Sequence, residues 1–268
     1  GRLSLDDKFY VSENAWRKGG AKTGGSTMFL EPSMRVRVED LIRGIIVQSG
    51  NDACIVVAEA LSSSEEAFAQ DMTDKARELG MTGSPFKTAT GWPDPEHRVT
   101  AHDLARLAQL TVERFPEYYH YYSEHSFVFN GIKQSNRNPL IYKDMGADGL
   151  KTGHTQESGY GLTASASRKD AGHDRRLILV VNGLSSKKMR SSESERLLEW
   201  GFREFDNYAL FQEGDKVADA SVWLGDRPTV PLVIGQNLTL TLPKKSRRDM
   251  KVTVNYPGPL PAPIGAGP

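Results

Sequence analysis

The chain has 268 residues, 38% of them apolar, and its 34 Lys+Arg offset 34 Asp+Glu to a formal charge of zero. Such a length excludes a disulfide-stapled mini-protein and suits one large domain, or a catalytic domain with a small second one. The charge balance lacks the basic footprint that a phosphate backbone demands, which argues against nucleic acid as a partner, and clean apolar runs such as Leu177 to Val181 are far shorter than the ~20 residues of a membrane helix.

Residues 1–37 read as irregular, with a Gly-rich stretch from Gly19 to Gly25 and a start at Gly1 that looks processed or cut. Val38, Leu41, Ile42, Ile45 and Ile46 then lie at helical spacing and predict a helix ending at Ser49-Gly50. Asn51 or Asp52 is placed to cap a second helix through Leu61, and Ser63 with Glu66 to open a third that carries Phe68, Met72 and Leu79 and stops at Gly80. The lone cysteine, Cys54, sits in an apolar stretch as a small core hydrophobe. Residues 81–98 read as loop, and Thr100 with Asp103 opens a helix that ends before Pro116, closing a helical block near Tyr122.

Beyond that point the period becomes two. Phe127 to Ile132 carries the Asn130-Gly131 signature of a type I′ hairpin. Leu150 to Thr152, Gly159 to Arg168 and Arg176 to Asn182 predict three strands in an antiparallel meander. Ser192 with Glu195 predicts a helix carrying Leu197, Leu198, Gly201, Phe202 and Phe205 against that sheet. The alternation in Val217 to Val254 suggests a small β domain, and Pro257 to Pro268 an extended or disordered tail. The expected division is 1–208 and 209–268.

No HExxH, CxxC, GxSxG or GxxxxGK[ST] occurs. His97 with His102, and His120 with His125, stand five apart on different helix faces, so neither metal nor cofactor is expected. Two tripeptides remain: Ser49-Gly50-Asn51 at a helix-to-helix turn, and Lys-Thr-Gly, present both at Lys22-Thr23-Gly24 and at Lys151-Thr152-Gly153. The copy at 151 follows Asp148-Gly149-Leu150 and leads into a strand, whereas the copy at 22 lies among glycines ahead of Ser49. Read alone, 49–51 is a helix C-cap followed by an N-cap, and 151–155 an edge strand guarded by a lysine.

Taken together, the block Gln48-Ser49-Gly50-Asn51-Asp52-Ala53, the block Phe129-Asn130-Gly131-Ile132 with Asn136-Arg137-Asn138, and the block Asp148 to Thr155 resemble the penicillin-recognising serine enzymes. Within them, the low-molecular-weight D-alanyl-D-alanine carboxypeptidases are the nearest pattern. That resemblance implies an α+β, β-lactamase/transpeptidase-like fold: an antiparallel sheet with flanking helices and a helical lobe, followed by a small β domain. It implies removal of the terminal D-alanine from peptidoglycan stem peptides through an acyl-enzyme, β-lactams as inhibitors, and a periplasmic location, with membrane association only through a segment outside this chain.

The family works with SxxK, SxN and KTG, the first holding the nucleophile. The resemblance assigns Ser49, Asn51 and Lys151 to catalysis and Thr152, Gly153, His154, Thr155 and Arg137 to substrate binding. Ser49 passes a proton to the leaving amine, Asn51 holds a lysine and the substrate carbonyl, and Lys151 supplies fixed positive charge. Gly153 lets a peptide lie on the strand edge, His154 lends a backbone N–H to an oxyanion, and Arg137 with the two threonines binds a carboxylate. Arg137 and Thr155 also read as a surface ion-pair partner and a strand-edge hydroxyl.

No SxxK precedes Ser49. Ser84-Pro85-Phe86-Lys87 and Ser185-Ser186-Lys187-Lys188 match in form but come after it, and neither opens an apolar helix. The expectation is a truncated member, inactive alone. Two alternatives stay open: a non-catalytic relative that binds peptides or proteins, and a β-lactamase, which the lack of an ExxLN-type segment between Ser49 and Lys151 disfavours.

Overall fold

In the computed structural model, which describes residues 3–170, 173–246 and 250–265, the chain divides into two units, Gly1–Leu198 and Glu199–Pro268. Residues 1–37 are more regular than their composition suggests. Strand β1 (Lys8–Tyr10) pairs antiparallel with β2 (Arg35–Arg37), and helix α1 (Glu13–Gly19) lies between them, started by the Ser12 hydroxyl accepting from the Ala15 N–H. Three-residue strands 25 positions apart and a seven-residue helix have too little periodicity to be read in advance.

Helix α2 (Val38–Arg43) continues into a wider π-helical turn, residues Gly44–Gln48, which ends at Ser49. Helix α3 (Asn51–Ser62) follows at once. Neither Asn51 nor Asp52 caps it: Gly50 occupies the cap position without a side-chain bond, and the buried Asp52 carboxylate turns inward instead. It accepts from Thr27 Oγ1 at 2.5 Å, from the backbone N–H groups of Met28 and Leu30 at 2.9 and 3.0 Å, and from that of Ala53 at 2.9 Å. Helix α4 (Glu65–Glu78) begins one residue later than expected, because Ser63 takes the left-handed conformation that ends α3 and Ser64 becomes the cap. Met28, Leu30, Leu41, Val47, Ala53, Ile55 and Val56 are buried together with Val11 and Ala15, so one core holds α1, α2, α3 and the 27–30 segment.

Residues 81–98 contain no helix or strand. Helix α5 (Ala101–Arg114) is capped by Thr100 as read from sequence, Pro116 opens the single turn α6 (Pro116–Tyr119), and a 3₁₀ turn at His120–Ser123 closes the block. The hairpin β3 (Ser126–Phe129) and β4 (Ile132–Ser135) turns at Asn130 and Gly131, both at positive φ as a type I′ turn requires. Strands β5 (Ala147–Thr155), β6 (Gly159–Asp170) and β7 (His173–Leu184) form the antiparallel meander, ordered β5-β6-β7. Leu162, Ala164 and Ala166 are buried on one face of β6 and Ser165 on the other, so both faces are covered there; α5 packs against β6 and β7.

Helix α7 (Lys187–Glu204) is capped six residues before the expected Ser192, because the Ser186 hydroxyl accepts from the Met189 N–H. It also ends before Phe205, which opens strand β8 (Phe205–Phe211) instead of closing the helix. In the second unit β9 (Lys216–Trp223) lies between β10 (Thr229–Val233) and the two-residue β12 (Leu260–Pro261), and β11 (Leu238–Pro243) pairs with β8. Val252 to Val254, expected as strand, is not. Of the expected β run and proline tail, residues 247–249 and 266–268 lie outside the described residues.

Candidate active site

The turn from α2 to α3 puts Ser49 where a side chain projects from a fixed backbone. Ser49 has φ 64° and ψ 36°, a conformation that costs a non-glycine residue energy and persists only where the surroundings enforce it. Here the N–H groups of Ser49 and Gly50 both reach the Gly44 carbonyl, and the Asn51 N–H donates to the Ser26 carbonyl at 2.8 Å. Asp52 fastens the neighbouring 27–30 segment from below. The Asn51 carboxamide makes no side-chain hydrogen bond among the described residues, so its amide is available to a ligand.

Lys151 reaches this turn from β5. Its Nζ donates to Ser49 Oγ at 2.6 Å and to the Thr152 carbonyl at 3.0 Å, bringing together two residues 102 positions apart. Burial, opposed by the Cys54 sulfur and reinforced by Arg137 and Arg190, pushes the Lys151 ammonium down to about 8. The same burial pushes the Cys54 thiol up to about 12, so it carries no charge at neutral pH. Because Lys151 donates into a lone pair of Ser49 Oγ, the serine's own proton remains free to be given elsewhere.

Arg137 comes from the chain beyond β4, and its Nη1 donates to the Ser26 hydroxyl, beside the carbonyl that holds Asn51. Sequence reasoning missed Arg190 on α7. This side chain is buried, its Nη1 lies 3.4 Å from the Gly153 carbonyl, its guanidinium stands 5.7 Å from the Tyr160 ring centre, and its Nε has no hydrogen-bond partner among the described residues. A cation on a polar helix face carries no local signal of a site; only packing against β5 gives it one. Lys151, Arg137 and Arg190 thus converge, and no carboxylate pairs with any of them among the described residues.

The remaining predicted residues divide. A Cβ added to Gly153 would meet nothing within 4 Å, so this stretch of the edge strand β5 stands open. The His154 ring stacks on Tyr160, directly opposite it on β6, with 4.0 Å between centres. Thr155 is engaged in the β5–β6 turn, its Oγ1 accepting from the Ser158 N–H and lying 2.9 Å from Ser158 Oγ. Strand alternation puts Thr152 and His154 on the face opposite Lys151 and Gly153. Trp92, half exposed on the 81–98 loop, also borders the site: a Cβ on Gly25 would lie 2.8 Å from Asn51 Nδ2 and 3.0 Å from the indole.

Neither formal SxxK match bonds to Ser49, Asn51 or Lys151 among the described residues, although Ser185 lines a cavity with His154, Thr155 and Tyr160. Ser84 is buried and its hydroxyl donates to Asp103 at 2.7 Å, fastening the loop to α5. Ser185 donates to the Met189 sulfur, and the four residues Ser185 to Lys188 do open a helix, though a polar one. The second Lys-Thr-Gly lies in a 3₁₀ turn, Ala21–Thr23, with Lys22 over the Trp16 ring at 5.2 Å.

Residues 1–186 match the family described as D-alanyl-D-alanine carboxypeptidase, and residues 205–268 match the penicillin-binding protein 5 C-terminal domain. D-alanyl-D-alanine carboxypeptidase DacD of Escherichia coli strain K12 is 40% identical over 99% of this chain and 68% of its own length. DacA of the same strain is 37% identical over 94% of this chain and 62% of its own length. Among solved structures, penicillin-binding protein 5 from Haemophilus influenzae superimposes over 100% of this chain and 77% of that one, with TM-score 0.87 and 36% identity. The chain therefore spans about two thirds of the length of the curated relatives it matches.

Proposed function

This chain belongs to the D-alanyl-D-alanine carboxypeptidase family, and from that premise we propose that its Ser49–Asn51–Lys151 cleft is the substrate site of a serine-type enzyme that removes the terminal D-alanine of peptidoglycan stem peptides. The observation that carries the reading is the convergence of Lys151, Arg137 and Arg190, unpaired with any carboxylate among the described residues, beside an open strand edge. A free C-terminal carboxylate is the group such a cluster takes up, and a guanidinium binds it with a planar fork of donors. The peptide lies along β5 at Gly153, with its scissile carbonyl near Asn51 and Ser49.

The acyl transfer consists of attack by a serine hydroxyl on the penultimate D-alanine carbonyl, loss of the terminal D-alanine as an amine, and hydrolysis of the ester by water. Ser49 fits the delivery of a proton to that amine, since Lys151 occupies its lone pair and leaves its O–H free. Lys151 steadies the developing negative charge. The attacking serine of this family belongs to an SxxK segment, and none stands ahead of Ser49 in these 268 residues, so binding is what tests the cleft. Penicillins, which present a carboxylate beside a strained amide, occupy the same cleft. The periplasm, where peptidoglycan is trimmed, is the location this reading assigns.

Binding tests it directly. A peptide ending in D-Ala-D-Ala is titrated into the chain by calorimetry or chemical-shift mapping, against the same peptide amidated at its C-terminus. A charge-assisted hydrogen bond contributes about 1.5–3 kcal/mol, so Arg137→Ala should weaken binding of the free acid roughly 10- to 150-fold and leave the weak amide unchanged. Equal affinity for acid and amide in the parent chain would refute the reading.

A further inference from the structure

A second polar cluster lies at the root of β5, three residues before Lys151. The Asp148 carboxylate receives Arg176 of β7 through Nη1 at 2.8 and 2.7 Å to its two oxygens, and the Tyr119 hydroxyl of α6 at 3.1 Å. Arg176 also donates to the Ser165 hydroxyl of β6, and its guanidinium lies 5.3 Å from the Tyr119 ring centre. One carboxylate thereby connects all three strands of the sheet to the segment that ends the helical block. The next residue packs onto the same ring: a Cβ on Gly149 would stand 2.6 Å from the Tyr119 hydroxyl oxygen. On its other side the Gly149 carbonyl accepts from Asn138 Nδ2 at 2.8 Å.

The lysine stem is flexible, so the ammonium is placed by where β5 holds its Cα. As an edge strand β5 is paired on one side only, and near Gly153 its other side is open. Its distance from the Ser49 turn must therefore be set where β5 meets the helical block, and that is where Tyr119, Asp148 and Arg176 meet. We propose that Tyr119, acting through Asp148 and Arg176, is a positioning residue that sets β5 against the Ser49 turn and so keeps Lys151 Nζ within hydrogen-bonding distance of Ser49 Oγ. The proposal rests on the site reading above, but its test needs no substrate.

The pH dependence of Lys151 acylation by an amine-selective reagent, mapped by peptide mass spectrometry, reports how buried the ammonium is. The groups facing it, Cys54 from α3, Arg137 and Arg190, are unchanged by the variants used. Tyr119→Phe removes one hydroxyl and no charge. The midpoint for Lys151 is expected to move from about 8 toward the ~10.4 of a free lysine, slowing its labelling at pH 7 at least tenfold, while Lys22 labelling stays constant. Arg176→Lys keeps the charge but ends short of the Nη1 position that meets both Asp148 and Ser165 and loses the guanidinium over the Tyr119 ring, and should move the midpoint the same way. Gly149→Ala should disturb Lys151 in the parent chain and less so in the Tyr119→Phe background, where the atom it strikes is gone. A Lys151 midpoint unmoved in both Tyr119→Phe and Arg176→Lys, with cooperative unfolding retained, overturns the proposal. Loss of the functional reading would appear separately, as no peptide binding in any variant, parent included.

Discussion

Replacing Asp52 by asparagine keeps the volume of a fully buried side chain and changes only its charge and one acceptor. Oδ1 now accepts from Met28 and Ala53, and Oδ2 from Thr27 and Leu30. With the retained oxygen on the Met28 side, the new NH₂ faces the Leu30 N–H, two donors without an acceptor, while the Thr27 hydroxyl can rotate to accept. An orphaned buried N–H costs about 1–3 kcal/mol, and the surviving bonds lose the extra strength that a charged acceptor gave them. The sum is about 3 kcal/mol, which corresponds to roughly a 150-fold change in an equilibrium constant. Backbone hydrogen exchange reads this locally: protection at Met28 and Leu30 should fall by about two orders of magnitude, more than at Ala76 within α4. Peptide binding should weaken with it, because the Ser26 carbonyl next to that segment holds Asn51. A change of less than about threefold at Met28 and Leu30 would mean that Asp52 does not fasten the turn.

Lys151 must be charged to hold a carboxylate, so affinity for the free-acid peptide should stay flat up to about pH 7.5 and decline as pH rises through about 8, approaching tenfold per pH unit; calorimetry from pH 6.5 to 9.5 checks this, and a flat profile would exclude Lys151 from binding. Lys22→Ala should leave the profile unchanged, since that ammonium is exposed over Trp16. Gly153→Val adds a side chain into open space, so its stability should stay within about 0.5 kcal/mol of the parent while peptide binding is lost to steric exclusion from the strand edge; a loss of folding instead would show the edge to be packed.

Much of the site was legible in the sequence because its motifs are also local structural devices. Ser49-Gly50-Asn51 reads as a turn because it separates two apolar helical runs, and Asn130-Gly131 as a hairpin because Asn and Gly tolerate left-handed backbone; that Ser49 and not Gly50 takes the left-handed conformation was not legible. The order of the three blocks pointed to the family, and the strand run after Lys151 separated one Lys-Thr-Gly from its copy at 22. Other features had no local signature. Arg190 looks like any basic residue on a polar helix, Asp52 like a helix cap, and Asp148 like the first residue of a motif whose chemistry starts at Lys151.

The division follows the range of the forces. Backbone preference, capping and apolar period act over a few residues, so the sequence alone determined most helices, the hairpin and the meander, erring by one to six residues where two hydroxyls competed for a cap, as Ser63 and Ser64 did and as Ser186 and Ser192 did. Which charges share a cleft depends on contacts between segments roughly a hundred residues apart, which no local pattern encodes. Only the tertiary structure decided that Lys151 meets Ser49, that Arg137 and Arg190 join it without a counter-ion among the described residues, and that an aspartate three residues upstream is tied to Tyr119 and, across the sheet, to Arg176. Burial there, which the linear chain cannot express, converts an ordinary lysine into one that titrates near 8.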